Sequence, residues 1–214
     1  MVIVLEVYLI VLAIVSAIGF AKWTRLCFAE KVVALQMLMT FVAETAAFFV
    51  DRLHGSSEVV YHFFSPIEFF MISLYFNSSV RILHKNNIGF YIGISGFLLA
   101  ILNVAFFQNI KDINSHFLLF EGTATIIYCL LSFHQILLDE ERLPYAFAQF
   151  WISTCLIIFW STTFTGWGLY AIMSSDNPVF LSIFAKVLTA ANFIFYLGIA
   201  VVFLNYKKLI PSGA

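Results

Sequence analysis

Charge is what this sequence has least of. Aspartate, glutamate, lysine and arginine make up 11% of its 214 residues, against roughly 25% in soluble domains. With 62% hydrophobic residues and a mean hydropathy of +0.97, that scarcity points to a membrane protein. The net charge of −1 lacks the basic footprint that nucleic acid requires, so no nucleic-acid partner is expected. Cysteine is scarce too. Cys27, Cys129 and Cys155 imply no disulfide framework and are expected to pack. No soluble domain fits, because the stretches between apolar segments reach only about ten residues.

Motifs are also missing. No HxxxH, HExxH or ExxH spacing occurs, no nucleophile elbow or triad spacing is visible, and no Asp falls inside an expected span. A binding role is therefore favoured over catalysis, with a membrane-embedded, metal-assisted lipid hydrolase as the alternative. Intramembrane hydrolases of the ceramidase kind cluster His and Asp on several helices, a pattern not found here.

Apolar runs fill the chain. Seven segments are expected to span: Val2–Trp23, Lys31–Val50, Val59–Val80, Ile88–Phe107, His116–Leu138, Phe147–Met173 and Val179–Asn205. Each is near or above the roughly 20 residues that cross a bilayer. The fold class is thus an all-α polytopic bundle forming one domain over residues 1–214. The first segment lacks a basic leader and is followed by Lys22 and Arg25, so it reads as a retained span rather than a cleaved signal. Lys22, Arg25, Lys31, Arg81, Lys85, Arg142, Lys207 and Lys208 fall on one side, and Arg52 and Lys111 on the other. The positive-inside rule then puts the amino terminus outside and the carboxyl terminus in the cytoplasm, in a cytoplasmic (inner) membrane.

Against this background five charges stand out inside the segments: Glu6, Glu44, Glu68, Glu121 and Lys186. Each lies about four to eight residues from the expected outer end, on the order of 6–12 Å at the helical rise. A charge at the bilayer centre costs about 2.5–3.5 kcal/mol, so a shared polar pocket is the expected solution. Lys186 would pair with one of the acids.

Helical spacing supports inward polar faces. The second segment carries Gln36, Thr40 and Glu44; the third Tyr61, Ser65, Glu68, Tyr75 and Ser79; the fifth Glu121, Thr125, Tyr128 and Ser132; the seventh Ser182, Lys186 and Thr189. Glu68/Tyr75/Ser79 and Glu121/Tyr128/Ser132 repeat one spacing, each with a histidine upstream, His62 or His116. Those two histidines, with Glu68, Glu121 and Glu44, are the candidate metal ligands. Tyr61, His62, His116, Tyr128 and Trp167 would form rim or walls. Gly89, Gly93, Gly96 and Ala100, extended by Asn103, make a small-residue stripe for close helix packing. Pro66, two residues before Glu68, is expected to kink its helix and free a carbonyl near His62.

A seventh-segment lysine in an amino-terminus-out protein resembles microbial rhodopsins, which would make Lys186 a retinal attachment point flanked by Trp160 and Trp167. The Arg-Tyr-x-x-Asp-Trp pattern is missing from the third segment, so retinal is not expected. The run Tyr61-His62-Phe63-Phe64-Ser65-Pro66-Ile67-Glu68-Phe69-Phe70, with Glu44 in the preceding segment, resembles small stand-alone seven-helix membrane proteins of bacteria. That resemblance implies one site shared by Glu44 and Glu68 and brings no activity with it.

The expected function is recognition of a small polar or cationic ligand, or an ion, in an outward acidic pocket. Two roles are open, sensor or proton-coupled transporter. A transporter needs a polar route inward, for which Tyr75, Ser79, Tyr128, Ser132 and His134 are candidates. The chain ends at Ala214 without a signalling domain, so sensing is expected to need a membrane partner.

Overall fold

A computed structural model describes residues 2–172 and 178–213, with side chains except at 2–5, 167, 169–172 and 178–181. The long helices are α1 (Val2–Ala21), α2 (Phe28–His54), α3 (Glu58–Ser79), α5 (Ile88–Phe106), α6 (Ser115–Leu137), α7 (Ala148–Ile172) and α8 (Pro178–Asn205), with a single-turn α4 (Arg81–His84). No β-strand occurs among the described residues; one isolated parallel bridge joins Phe147 to Ile210. Among the described residues five stretches are long and apolar enough to cross a membrane: Phe28–His54, Glu58–Ser79, Ile88–Phe106, Ser115–Leu137 and Ser182–Lys208. That is the signature of a membrane protein.

Two expected boundaries move. α2 starts at Phe28 rather than Lys31 and runs to His54 rather than Val50, so Asp51 lies within the helix. Hydropathy marks the extent of apolar sequence, whereas a helix continues until its backbone is capped. Gly55 supplies that cap in the left-handed region at φ 75°, its N–H donating to the Asp51 carbonyl at 2.8 Å. The expected connection Arg81–Asn87 also coils into α4. Met173, the expected end of the sixth span, lies outside the described residues.

Six helices close a ring: α1 packs on α2 and α8, α2 on α3, α3 on α6, α6 on α7, and α7 on α8. α5 stands outside it, laid mainly against α3. The expected stripe is what faces inward there, since the buried residues of α5 are Gly89, Gly93, Gly96, Ala100 and Asn103. A Cβ at Gly89 would lie 2.8 Å from Asn77 Cβ, and one at Gly96 would collide with the Phe69 ring. Only a bare backbone allows α5 to come so close. α3 is the shared wall, with Phe69, Ile72, Tyr75 and Phe76 at most 1% exposed. Pro66 sits inside α3 well past its first turn, and the helix runs on through it.

The carboxyl-terminal tail returns to the bundle. Ala148 N–H donates to the Ile210 carbonyl at 2.9 Å, and Ile210 N–H to the Ala146 carbonyl at 2.8 Å. Its anchor is Glu30, in the first turn of α2 and fully buried. Glu30 Oε1 accepts from Ser212 N–H at 2.8 Å; Oε2 accepts from Tyr206 Oη at 3.3 Å and from Cys27 Sγ. A carboxylate suits a helix N-terminus, where the backbone dipole is positive. Burial, with Glu30 beside it, pushes the Cys27 thiol pKa up.

Candidate functional site

Within the ring lies a cavity of about 370 Å³. α2 contributes Thr40 and Glu44, and α3 contributes Glu58, Tyr61, Phe64, Ser65 and Glu68. The α5–α6 loop adds Ile113 and Asn114, α6 Leu118, α7 Phe159, Trp160 and Thr163, and α8 Leu188, Asn192 and Tyr196. Helical spacing explains the grouping: Thr40 and Glu44 are one turn apart, as are Tyr61 and Ser65, or Leu188, Asn192 and Tyr196.

Glu44 and Glu68 come from adjacent helices to this one cavity, each only partly buried. Tyr61 Oη donates to Glu44 Oε2 at 3.1 Å, and Gln36 Nε2 reaches Glu68 Oε1 at 3.5 Å, the outer limit for such a bond. A carboxylate has about four lone-pair sites, so both acids retain accepting capacity. The Tyr8 hydroxyl also bonds Glu44 and meets the Tyr196 hydroxyl at 3.3 Å, tying α1 to its neighbour α8. No Lys, Arg or His belongs to the lining among the described residues.

Glu121 is fully buried on α6 and lies within electrostatic range of Glu68, without lining the cavity. Neither of its oxygens has a hydrogen-bond partner among the described residues, nor has Thr125 Oγ1 one turn on. By contrast Thr40, Thr45, Thr123, Thr154, Thr162 and Thr189 all donate to the carbonyl four residues back.

Several candidates lie elsewhere. Glu6 is exposed on α1, near the helix end where charge is cheapest to hold. Lys186 is exposed as well, and among the described residues it pairs with none of the buried acids. Six residues before Asn192, the middle of the three α8 lining residues, it sits roughly 120° round α8 from the cavity face. The strip Ser182, Lys186 and Thr189 therefore does not look inward: Ser182 is exposed too, and Thr189 satisfies its own hydroxyl on Ala185 O. Tyr128 is buried deeper, its hydroxyl 3.4 Å from Ser73 Oγ. Trp167 belongs to α7, but its side chain lies outside the described residues.

The histidines separate. His116 is exposed, while His62 is buried with Nε2 2.9 Å from the Asp112 carbonyl. A carbonyl only accepts, so Nε2 carries the proton and holds the α5–α6 loop over α3. Asn103 Nδ2 fastens the same loop, donating to Asn114 Oδ1 at 3.0 Å and to Gln108 Oε1 at 2.9 Å. His62 thus positions the loop that brings Asn114 to the cavity. Among the described residues no three His, Cys, Asp or Glu side chains converge as metal ligands, so neither the metal nor the hydrolase reading draws support here.

Sequence reading missed the α8 wall. Asn192 and Tyr196 carry the one-turn spacing that marks it, whereas the charge of Lys186 marks a different, exposed side of α8. Trp160 was seen only as an aromatic beside Trp167. No protein-family model, no curated protein and no solved structure matches this chain.

Proposed function

We propose that this chain is a seven-span protein of a cytoplasmic membrane, amino terminus outside, that binds a small polar or cationic ligand or an ion between Glu44 and Glu68. One observation carries the reading: two carboxylates from neighbouring helices share a cavity in which, among the described residues, they have fewer donors than they can accept and no basic side chain beside them. Buried acids in a membrane bundle are costly unless they serve a ligand, an ion or a proton. The cavity lies toward the end that carries Arg52 and Lys111, the side assigned as external by the distribution of basic residues.

Of the two roles, the inner half of the bundle favours a receptor. Ser132 Oγ meets Ser153 Oγ at 2.8 Å and accepts from Gln149 Nε2 at 2.9 Å, while Ser79 Oγ donates to its own helix at Tyr75 O. Tyr75, Ser79, Tyr128 and Ser132 are at most 3% exposed. Ser79, Tyr128 and Ser132 thus spend their hydroxyls on neighbouring protein groups within a closely packed interior. A ligand seated between α2 and α3 would then act by shifting helix packing, with the signal passed to a partner in the membrane.

Thiol labelling tests the reading. Ser65→Cys should react with a membrane-impermeant cationic methanethiosulfonate applied to intact cells, above the background of the wild-type cysteines. Reaction only after permeabilisation would reverse the topology, and no reaction in either case would remove the open pocket.

A further inference from the structure

Resting on that reading, we infer that the ligand is an organic ammonium ion with an apolar body, not an inorganic ion, an anion or a neutral polar molecule. The geometry separates these classes. Calcium takes six to eight oxygens and magnesium six in near-octahedral array. Here three carboxylates, Glu44, Glu58 and Glu68, and several hydroxyl and amide side chains line a space of about 370 Å³. Among the described residues, however, no three acidic, His or Cys side chains converge to hold a metal, and Phe64, Phe159, Trp160 and Leu188 form much of the remaining wall. Such a volume falls at the small end of organic-ligand sites and far exceeds one bare ion. An anion would meet Glu44, Glu58 and Glu68 with no cationic side chain in the described lining to offset them. A neutral molecule would leave the two inner acids uncompensated in a largely apolar wall.

An ammonium group meets each demand. It brings up to three N–H donors to Glu44, which has the Tyr61 and Tyr8 hydroxyls, and to Glu68, which has only Gln36 Nε2 at the limit of bonding distance among the described residues. Its positive charge is attracted to the faces of aromatic rings, and Tyr61, Phe159, Trp160 and Tyr196 all line the cavity. Phe159 and Phe195 stack behind this wall with centroids 5.1 Å apart, so the aromatic surface is braced. Glu58, ten residues before Glu68 and so about 15 Å up α3, adds negative charge toward the mouth and would draw cations in.

The test uses the full-length protein in detergent, with thermal unfolding read against added phenethylamine, its neutral isostere 2-phenylethanol, 1,4-diaminobutane and calcium chloride. The expected result is a concentration-dependent rise in midpoint with at least one of the two amines, absent with the alcohol. In Glu44→Gln and Glu68→Gln the apparent affinity should fall about tenfold or more, the loss of a charge-assisted contact. Phe159→Leu, which leaves both acids in place, should weaken amine binding several-fold and serves if a Gln variant fails to fold. An equal response to the alcohol, a response to calcium alone, or no amine response at millimolar concentration would overturn the ammonium inference. The first two would leave the pocket itself standing if Glu68→Gln still weakened the response. An amine response undiminished in both Gln variants and in Phe159→Leu would place binding outside the cavity and overturn the proposed function with it.

Discussion

Glu30 and Glu68 are both glutamates in an apolar bundle, and their surroundings could hardly differ more. Glu30 is supplied with donors from three directions, the tail amide of Ser212, the Tyr206 hydroxyl and the Cys27 thiol. Among the described residues Glu68 has one donor at 3.5 Å, Glu44 has the Tyr61 hydroxyl at 3.1 Å and the Tyr8 hydroxyl, and Glu121 has none. A buried acid with its donors in place fixes structure, because removing it strands every partner. One short of donors contributes little to stability and keeps its lone pairs for something that arrives. Donor supply, more than burial, is what separates an anchor from a candidate binding group here.

Mutations at the two regions should diverge. Glu30→Gln is expected to have the largest effect on stability, about 3 kcal/mol, because three donors lose a charged acceptor; a lowered thermal midpoint and earlier proteolysis of the tail would show it. Gly96→Val should cost about 1–3 kcal/mol by overpacking α5 against Phe69, read in the same melt. Glu44→Gln and Glu68→Gln should leave stability within about 1 kcal/mol of wild type or raise it, since each removes an under-supplied acid. Alkylation of Cys27, measured by mass shift against pH, should accelerate only above the range of an ordinary thiol, because its pKa is raised and the thiolate is the reacting form. Lys186→Gln should change stability and amine binding least of all, within about 0.5 kcal/mol, as expected of an exposed side chain.

Much of the architecture could be read from the residues themselves. The stripe of Gly89, Gly93, Gly96 and Ala100 is buried as its spacing requires, and Gln36, Thr40 and Glu44 share the face that periodicity assigns. Glu44 and Glu68 line one cavity. The α8 face was misread because periodicity shows which residues share a side without showing where that side points. A lysine with a long stem can sit outward where a glutamate is better held within. Glu30 falls just outside the expected second segment, Lys31–Val50, and its role depends on contacts with Tyr206 and Ser212 that lie more than 170 positions away. Such long-range pairing leaves no local trace in a single sequence.

The most direct test is one thermal-unfolding experiment on wild type, Glu30→Gln and Glu68→Gln, each with and without phenethylamine. If donor supply divides anchor from binding group, Glu30→Gln melts earlier and keeps its ligand-induced rise. Glu68→Gln melts at or above wild type and loses that rise. A Glu68→Gln protein that melts as early as Glu30→Gln while still responding fully to the amine would contradict the account.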